Sequence, residues 1–437
     1  MKEFCVEVVD KLRRLGADVA IANASTSVHK QVKFANNKIV RSSVEQSEHC
    51  QIFIAVGKKT AETVIEKNAV NLKEKLAVFV ALAKKLPDNK EFLEVTKGKF
   101  QYPKINAFDE RTANANEELV EIVQQSLGGI EQTRAGGVLE TNASEEYLLS
   151  SAGPEASFKS TNAYFSMRCI AEQNASGHKV ACDSAISKLN AVQLSREASN
   201  LAVKAKNPVV GQQGTFNVVF DALPFAALLD PFVHSTSVFS VESGLSALTG
   251  KIGSKVTSDC ISIYDDPLNA SAFHATPFDE EGQPTKRTAI VENGVLKTYL
   301  HNSSTAKRYE VKPTGHAGIV SPHPWNPIVK NGNSGLDELV REAKNGIYVT
   351  NIWYTRFQNY STSDFSSIPR DAIFLIENGE ITKPIRGIRI SDNLLKMLSN
   401  IKLLSKHQRQ IYGWEVDTPI FSSDALVENV NVTTPQG

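Results

Sequence analysis

The stretch TAIVENGVL, residues 288–296, places two short apolar runs on either side of an Asn-Gly step. Asn-Gly supplies the backbone angles that a two-residue hairpin turn requires, so this stretch predicts a β-hairpin. Asn378-Gly379 predicts a second hairpin of the same kind. Sequence typical of strands and turns surrounds both hairpins. The clearest helical stretches within it are 336–344 and 394–404. The C-terminal half is therefore expected to be a β-rich barrel or sandwich with helices at its rim.

The N-terminal half shows one pattern twice. Residues 3–14 have apolar side chains at helical spacing, short β-branched runs follow from 18 to 65, and a second helix ends at Pro87. Beyond a linker at 88–111 the order returns, with a helix near 119–127, strands over 137–171 and a helix over 190–205. The sequence predicts an α+β fold with an internal structural duplication.

These patterns divide the chain into two domains, as its length of 437 residues also favours. Residues 1–207 are expected to form an α+β domain with two similar sub-units, at about 1–87 and 112–207. Lys206-Asn207-Pro208 marks the boundary, because a helix ends there and a new strand follows. Residues 208–437 are expected to form the β-rich domain.

Composition excludes several classes of function. Lys plus Arg (48) balances Asp plus Glu (48), so no global charge draws the chain to nucleic acid or to anionic lipid. The first residues have no apolar signal-peptide core, and no run of 18 apolar residues occurs. The five cysteines are scattered singly, as is usual for reduced thiols. We expect a cytoplasmic protein with no membrane or nucleic-acid partner.

The sequence lacks the local motifs of nucleotide-binding proteins and serine hydrolases, and no histidine pair has the spacing of HExxH. His316 and His323 could meet in a loop, but we interpret them as two independent polar residues. Asp265-Asp266 and Asp279-Glu280-Glu281 could share a proton or bind a hard cation. With no histidine nearby in the sequence, turn formation is the favoured interpretation of these carboxylates.

Several unusual stretches of the C-terminal half occur in the order typical of one family. Tyr264–Pro267, Phe278–Gly282, the hairpin at 288–296 and Tyr299–Asn302 resemble the DDP, FDxEG, hairpin and LHN segments of TldD/PmbA proteins. The resemblance continues to about residue 402 and indicates a member of the PmbA, or TldE-like, kind. It implies a metallopeptidase-family fold and a set of candidate binding residues at the motif positions. These are Tyr264, Asp265, Asp266, Phe278, Asp279, Glu280 and Gly282.

The chain departs from the family where catalytic members carry HExxxH, whose histidines and a later cysteine hold zinc while the glutamate activates water. Asp230 stands in place of the first histidine, Pro231 of the glutamate and Ser235 of the second histidine, and no cysteine follows Ile401. Pro231 has no group that could act as a base, and a serine is a poor zinc ligand. His234 lies one residue short of the motif and is interpreted as a packed or capped residue. We therefore expect no metal and no cofactor in this chain.

The resemblance implies a non-catalytic subunit that pairs with a zinc-bearing TldD-like chain, or with itself, to degrade unfolded peptides. Zinc is then expected in the partner, and peptide binding by strand addition to a sheet edge is a suitable mechanism. Aromatic residues at 353–360 are expected either at an interface or over the domain's own core. Two alternatives remain: a self-sufficient hydrolase with a rebuilt site using Asp230, His234 and a distant carboxylate, and a regulator of a gyrase-like enzyme.

Overall fold

A computed structural model describes residues 1–318 and 320–434. The α-helices are α1 Lys2–Arg14, α2 Leu72–Ala83, α3 Glu110–Asn114, α4 Glu117–Gly128, α5 Ala191–Lys204, α6 Ala222–His234, α7 Val238–Glu242, α8 Ser303–Arg308, α9 Leu336–Ala343 and α10 Leu394–Ser399. The strands of the N-terminal half are β1 Val19–Ala35, β2 Lys38–Val56, β3 Lys59–Glu66, β4 Arg134–Ser150, β5 Glu155–Glu172 and β6 Ala175–Asp183. The remaining strands are β7 Val209–Val210, β8 Gly214–Phe220, β9 Ile263–Asp265, β10 Thr288–Glu292, β11 Val295–Leu296, β12 Pro327–Val329, β13 Gly346–Val349, β14 Ile352–Asn359, β15 Asp364–Pro369, β16 Ile373–Glu377, β17 Glu380–Arg386, β18 Arg389–Asn393, β19 Ile401–Leu404, β20 Arg409–Gly413, β21 Val416–Ser422 and β22 Ala425–Thr433.

The N-terminal half is one antiparallel sheet in the order β3-β2-β1-β4-β5-β6. The two predicted meanders are present, and they join along β1 and β4, which pair from Ile21 opposite Ser150 to Ala35 opposite Gly136. Helices α1 and α2 pack on the first meander, and α4 and α5 pack on the second. The duplicated pattern of helix, meander and helix is confirmed, with strands longer than the short runs that the sequence suggested.

The two faces of this sheet differ because successive side chains of a strand point to opposite sides. Ala20, Ala22 and Ala24 of β1 pack into the core under α1 and α2. The intervening residues Asn23 and Ser25 lie on the other face, which carries mainly polar side chains along this part of the strand. One face is thus covered by helices, and the opposite face meets the C-terminal domain.

The C-terminal half contains a mixed sheet in the order β14-β15-β18-β22-β8-β13-β16-β17-β7, with β19 beside β22, and a second sheet in the order β11-β10-β9-β12-β21-β20. Both expected Asn-Gly hairpins are present, as β10 with β11 and β16 with β17. None of the sheets closes into a barrel across the strands that the structure describes. The predicted helix at 394–404 is wrong in its second half, because Ile401–Leu404 pairs with β22 instead.

Helix α6 lies at the centre of this domain. Its apolar side chains share one core with Phe220 of the mixed sheet and with Ile263 and Ile420 of the second sheet. Eleven of its residues are buried. The two sheets therefore sandwich the helix that carries Asp230, Pro231 and His234. Within the described residues, no helix is both long and apolar enough to span a membrane.

A buried ion cluster joins the N-terminal sheet to the start of α6. The Asp221 carboxylate, 3% exposed, lies 2.7 Å from Lys179 Nζ and 2.6 Å from an Arg409 guanidinium nitrogen. The same Arg409 nitrogen lies 2.9 Å from Asp424. Burial raises the pKa of Asp221, but Arg409 and Lys179 outweigh burial, so the pKa falls below its ordinary range. The cluster links Lys179 of β6 to the C-terminal domain through a charged carboxylate.

We expect Asp221→Ala to lower the free energy of unfolding by about 3–5 kcal/mol, because it leaves the buried Lys179 without its partner and removes one of the two carboxylates that pair with Arg409. Urea denaturation of the purified chain measures this change. Asp259→Ala is the matched control, since Asp259 pairs with Lys255 at 2.8 Å but is 76% exposed, and its midpoint should stay unchanged. A loss below about 1 kcal/mol for Asp221→Ala would contradict the structural role of the cluster.

Candidate functional site

Helix α6 and the residue after it hold the predicted motif positions in a defined geometry. Asp221 caps its N-terminus by accepting from Leu223 N at 3.4 Å. Pro231 sits inside the helix, where its ring removes a backbone donor. Ser235 follows the last turn, and its hydroxyl donates to the Phe232 carbonyl at 2.6 Å. Neither Pro231 nor Ser235 offers a side-chain group to a metal or a substrate in this arrangement.

Asp230 and His234 are the polar residues that α6 presents to strand β21. Asp230 is 8% exposed, and its Oδ1 accepts from Thr418 N at 3.0 Å. His234 Nε2 lies 2.8 Å from Thr418 Oγ1 and 3.9 Å from Asp230 Oδ1. Both side chains are thus anchored on the same residue of β21.

The environment disfavours a charged pair at this place. Burial raises the pKa of Asp230 to about 7, with Asp417 adding to the rise and the Thr418 N–H opposing it. Burial lowers the pKa of His234, against the charges of Asp417 and Asp265. A neutral imidazole and a partly protonated carboxyl therefore face each other near neutral pH.

The family's zinc does not fit this donor set. Ser235 stands at the position predicted for a histidine ligand, Pro231 stands at that of the water-activating glutamate, and His234 Nε2 already faces a threonine hydroxyl. Across residues 1–318 and 320–434, no group of three His, Cys, Asp or Glu side chains is placed to hold a metal ion.

The DDP segment surrounds a fully buried carboxylate. Asp265 accepts from Trp325 N and Asn326 N, both at 2.6 Å, and from His316 Nε2 at 2.9 Å. His316 is also fully buried, and its Nδ1 lies 3.0 Å from the Thr314 carbonyl. No histidine lies near these carboxylates in the sequence, but the fold brings His316 across 51 residues to Asp265. His316 is thus a buried partner of the motif and not an independent loop residue.

The first carboxylate of the FDxEG segment is also used internally. Asp279, 2% exposed, accepts from the backbone N–H groups of Ala317 at 3.0 Å, Glu281 at 3.0 Å and Gln283 at 2.9 Å. Burial, followed by the charge of Glu281, raises the pKa of Asp279 well above its ordinary value. Asp279 fixes the turn that follows it and the loop at Ala317.

The second carboxylate of this segment anchors the linker. Glu281 Oε2 accepts from the N–H and the hydroxyl of Thr96, both at 3.1 Å, and from the Ser303 hydroxyl. Burial raises the pKa of Glu281, and the hydrogen bonds from Ser303 and Thr96 oppose the rise. Residues 88–111, expected as a surface connection, are therefore attached at Thr96 to the C-terminal domain.

Phe278 and Gly282 lie at the same contact between the linker and the C-terminal domain. Phe278 is 3% exposed and meets the Tyr102 ring at 5.6 Å between centroids. Gly282 has a φ of +81°, and a Cβ there would lie 2.6 Å from a Pro154 side-chain carbon. Both the left-handed backbone and the close approach require glycine.

The three remaining candidate residues are partly accessible. Arg287 lies over the Tyr264 ring at 4.2 Å and within 4.0 Å of Asp266 Oδ2. Glu280 is half-buried beside the polar face of the N-terminal sheet, and its charge adds to the effect of burial in raising the pKa of Glu146. The seven candidates thus divide into a buried scaffold and an accessible set of Tyr264, Asp266 and Glu280.

Sequence reasoning gave no role to three ionisable groups, His323, His274 and Glu146. Burial lowers the pKa of His323, and the charge of Glu280 opposes that shift while His234 contributes to it. Burial lowers the pKa of His274 to about 4. The two histidines of a proline-rich loop, His316 and His323, were the sequence feature that could have identified His323. Glu146 lies within an ordinary alternating strand, so nothing in the sequence identified it.

Comparisons with known proteins place this geometry in a family. Residues 213–434 match the model of the PmbA/TldA metallopeptidase C-terminal domain, and residues 95–206 match the model of the central domain. The chain belongs to the PmbA/TldD family. The recognition made from the DDP, FDxEG and hairpin segments is therefore confirmed.

The curated relatives match over about half of their length. A metalloprotease of Methanocaldococcus jannaschii is 29% identical over 55% of this chain and 55% of its own. A metalloprotease PmbA homolog of Haemophilus influenzae is 37% identical over 40% of this chain and 37% of its own. Because these matches are partial, they do not show that this chain has the activity of either protein.

Two solved structures share the fold over almost the whole chain. TldE from Thermococcus kodakarensis has a TM-score of 0.88 and 18% identity, covering 98% of this chain and 100% of its own. A Thermotoga maritima protein named for modulation of a DNA gyrase has a TM-score of 0.87 and 22% identity, covering 99% of this chain and 100% of its own. At these identities the likeness concerns the fold alone.

We expect Asp230→Asn to stabilise the chain at alkaline pH and to change it little at acidic pH. Because burial raises the folded pKa of Asp230 from 3.8 to about 7, the folded chain binds more protons than the unfolded chain between these values. Stability from this group is therefore lost as pH rises through that window. Asparagine cannot ionise, so the gain should be at least about 1 kcal/mol larger at pH 8 than at pH 4.

Urea denaturation at both pH values tests this expectation, with Asp259→Asn as the exposed control. An equal effect of Asp230→Asn at the two pH values would show that Asp230 titrates normally in the folded chain.

Proposed function

We propose that this chain is the non-catalytic subunit of a PmbA/TldD-family peptidase complex, acting with a zinc-bearing family partner on unfolded peptides. One observation carries the proposal. Helix α6 is buried at the centre of the domain, yet Pro231 and Ser235 supply neither a base nor a ligand. A fold that retains its scaffold without these groups is suited to binding and enclosure.

The buried carboxylates of the family segments support this proposal. Asp265, Asp279 and Glu281 all receive backbone N–H groups, so these carboxylates hold loops together and leave catalysis to another chain. The names of the relatives supply the chemistry, since they are described as metalloproteases. Zinc and the water-activating base would then belong to the partner.

A self-sufficient hydrolase remains the second candidate because Asp230 and His234 do lie together, 3.9 Å apart. That role needs a third ligand, which this arrangement does not supply. A regulator of a gyrase-like enzyme is the third candidate, suggested by the name of the Thermotoga maritima structure. The balanced charge of the chain favours a protein target over DNA in that case.

An aromatic surface supports pairing with another chain. Trp414, Tyr360 and Tyr354 are 80%, 56% and 45% exposed. Arg370 lies 5.1 Å from the Trp353 ring centroid and 5.8 Å from that of Tyr354. Tryptophan, tyrosine and arginine are enriched at protein interfaces and among their strongest contacts. Phe357, by contrast, packs against the domain core, so only part of the predicted aromatic set is available.

We expect the chain to form a stable dimer with a zinc-bearing family partner, or with itself, burying on the order of 2,000 Å² or more. Light scattering at micromolar concentration, on the chain alone and on the mixture, measures the assembly. Trp414→Ala should weaken pairing about tenfold or more, as loss of a central aromatic contact does.

Val78→Ala is the matched control, because Val78 is 70% exposed on α2 and lies outside the aromatic surface. A monomer under both conditions would contradict the proposed assembly.

A further inference from the structure

Strand β3 is an edge of the N-terminal sheet. It pairs with β2 from Val56 opposite Lys59 to His49 opposite Glu66, and with no other strand of the described chain. Asn89 N donates at 2.9 Å to the carbonyl of Lys58, the residue just before the strand. The outer edge beyond that point offers backbone donors and acceptors to an extended segment.

A cavity of about 300 Å³ adjoins this edge. Thr60, Ala61 and Glu62 of β3 form one side, and the linker and the loops around α7 and α8 form the others. Its apolar wall is formed by Ile21, Phe53, Phe92, Val95 and Phe239. Phe53 and Phe92 meet at 5.9 Å between ring centroids. The space is suited to an apolar side chain that enters from the strand edge.

The wall of the cavity also carries more acidic than basic side chains. Arg308 is bound to Glu242, with contacts of 2.6 and 3.1 Å. Glu62 and Glu91 line the same cavity, and neither forms an ion pair within residues 1–318 and 320–434. A basic side chain lying near Glu62 and Glu91 would complement this charge.

We propose that the free edge of β3 and the adjoining cavity bind an extended peptide segment that carries a basic side chain two residues from an apolar one, so that both lie on the same face. The peptide backbone extends the sheet at β3, as in strand addition. An apolar side chain contacts Phe53, Phe92 and Phe239, and an arginine or lysine lies between Glu62 and Glu91. This inference rests on the proposed handling of peptides, but it requires only the isolated chain.

The apolar wall distinguishes a peptide from a simple polycation. A polyamine has charges but no aromatic or branched side chain to place against Phe239 and Phe92, and it has no amide groups to pair with β3. The peptide uses all three features of the site: the strand edge, the apolar wall and the negative charge. Selectivity follows from the side chains, while the backbone contributes affinity without sequence preference.

The test uses two acetylated and amidated peptides, Ala-Phe-Ala-Arg-Ala-Ala and the same peptide with citrulline in place of arginine, because side chains two residues apart in a strand share a face. Citrulline keeps the shape of arginine and removes its charge. Calorimetric titration of the full chain should show about two- to thirtyfold tighter binding of the arginine peptide, the range expected for two exposed charge contacts. The double variant Glu62→Gln, Glu91→Gln should bind both peptides equally weakly.

Glu74→Gln is the matched control, because Glu74 belongs to α2, which packs on the opposite face of the sheet; it should keep the preference. Phe239→Ala, at a residue 44% exposed, should weaken both peptides alike. Equal binding of arginine and citrulline peptides by the unmodified chain would overturn the site. So would loss of the preference in Glu74→Gln, or binding of spermidine as tight as that of the arginine peptide.

The outcome is separable from that of the proposed function. A chain that pairs with its family partner but shows no preference for arginine overturns this site alone. A chain that binds the arginine peptide selectively but stays monomeric overturns the pairing alone.

Discussion

The Asp221 carboxylate is the point at which the two halves of the molecule and the central helix meet. It binds Lys179 from the N-terminal sheet, binds Arg409 from the second C-terminal sheet, and caps α6. A charge buried this deeply is tolerated only when its partners are held in place. The position of α6, and hence of Asp230 and His234, therefore depends on this cluster.

The carboxylates of the family's DDP and FDxEG segments have a structural role in this chain. Asp265 and Asp279 each receive at least two backbone N–H groups in fully buried turns. Replacing such a carboxylate would leave buried backbone donors unpaired, and this cost does not depend on metal binding. These carboxylates therefore hold the scaffold independently of the side chains at Pro231 and Ser235 of α6.

Local signals allowed much of the fold to be predicted. The Asn-Gly steps specify their hairpins through backbone angles alone, and helical spacing identified α1, α2 and α9. Long-range contacts were not accessible in this way. Ile401–Leu404 has helical text but forms a strand because β22 lies beside it. His316 reaches Asp265 only through the folded loops, and the charge environment of Glu146 depends on Glu280 from another domain.

The central claim is that the scaffold of a metallopeptidase is retained here without its metal. Elemental analysis of the chain purified from its native host, alone and together with the chains that co-purify with it, tests that claim most directly. The account predicts no stoichiometric zinc in the isolated chain and about one zinc per assembled pair, since a tetrahedral site needs ligands that Asp230 and His234 do not complete. One tightly held zinc in the isolated chain would contradict it.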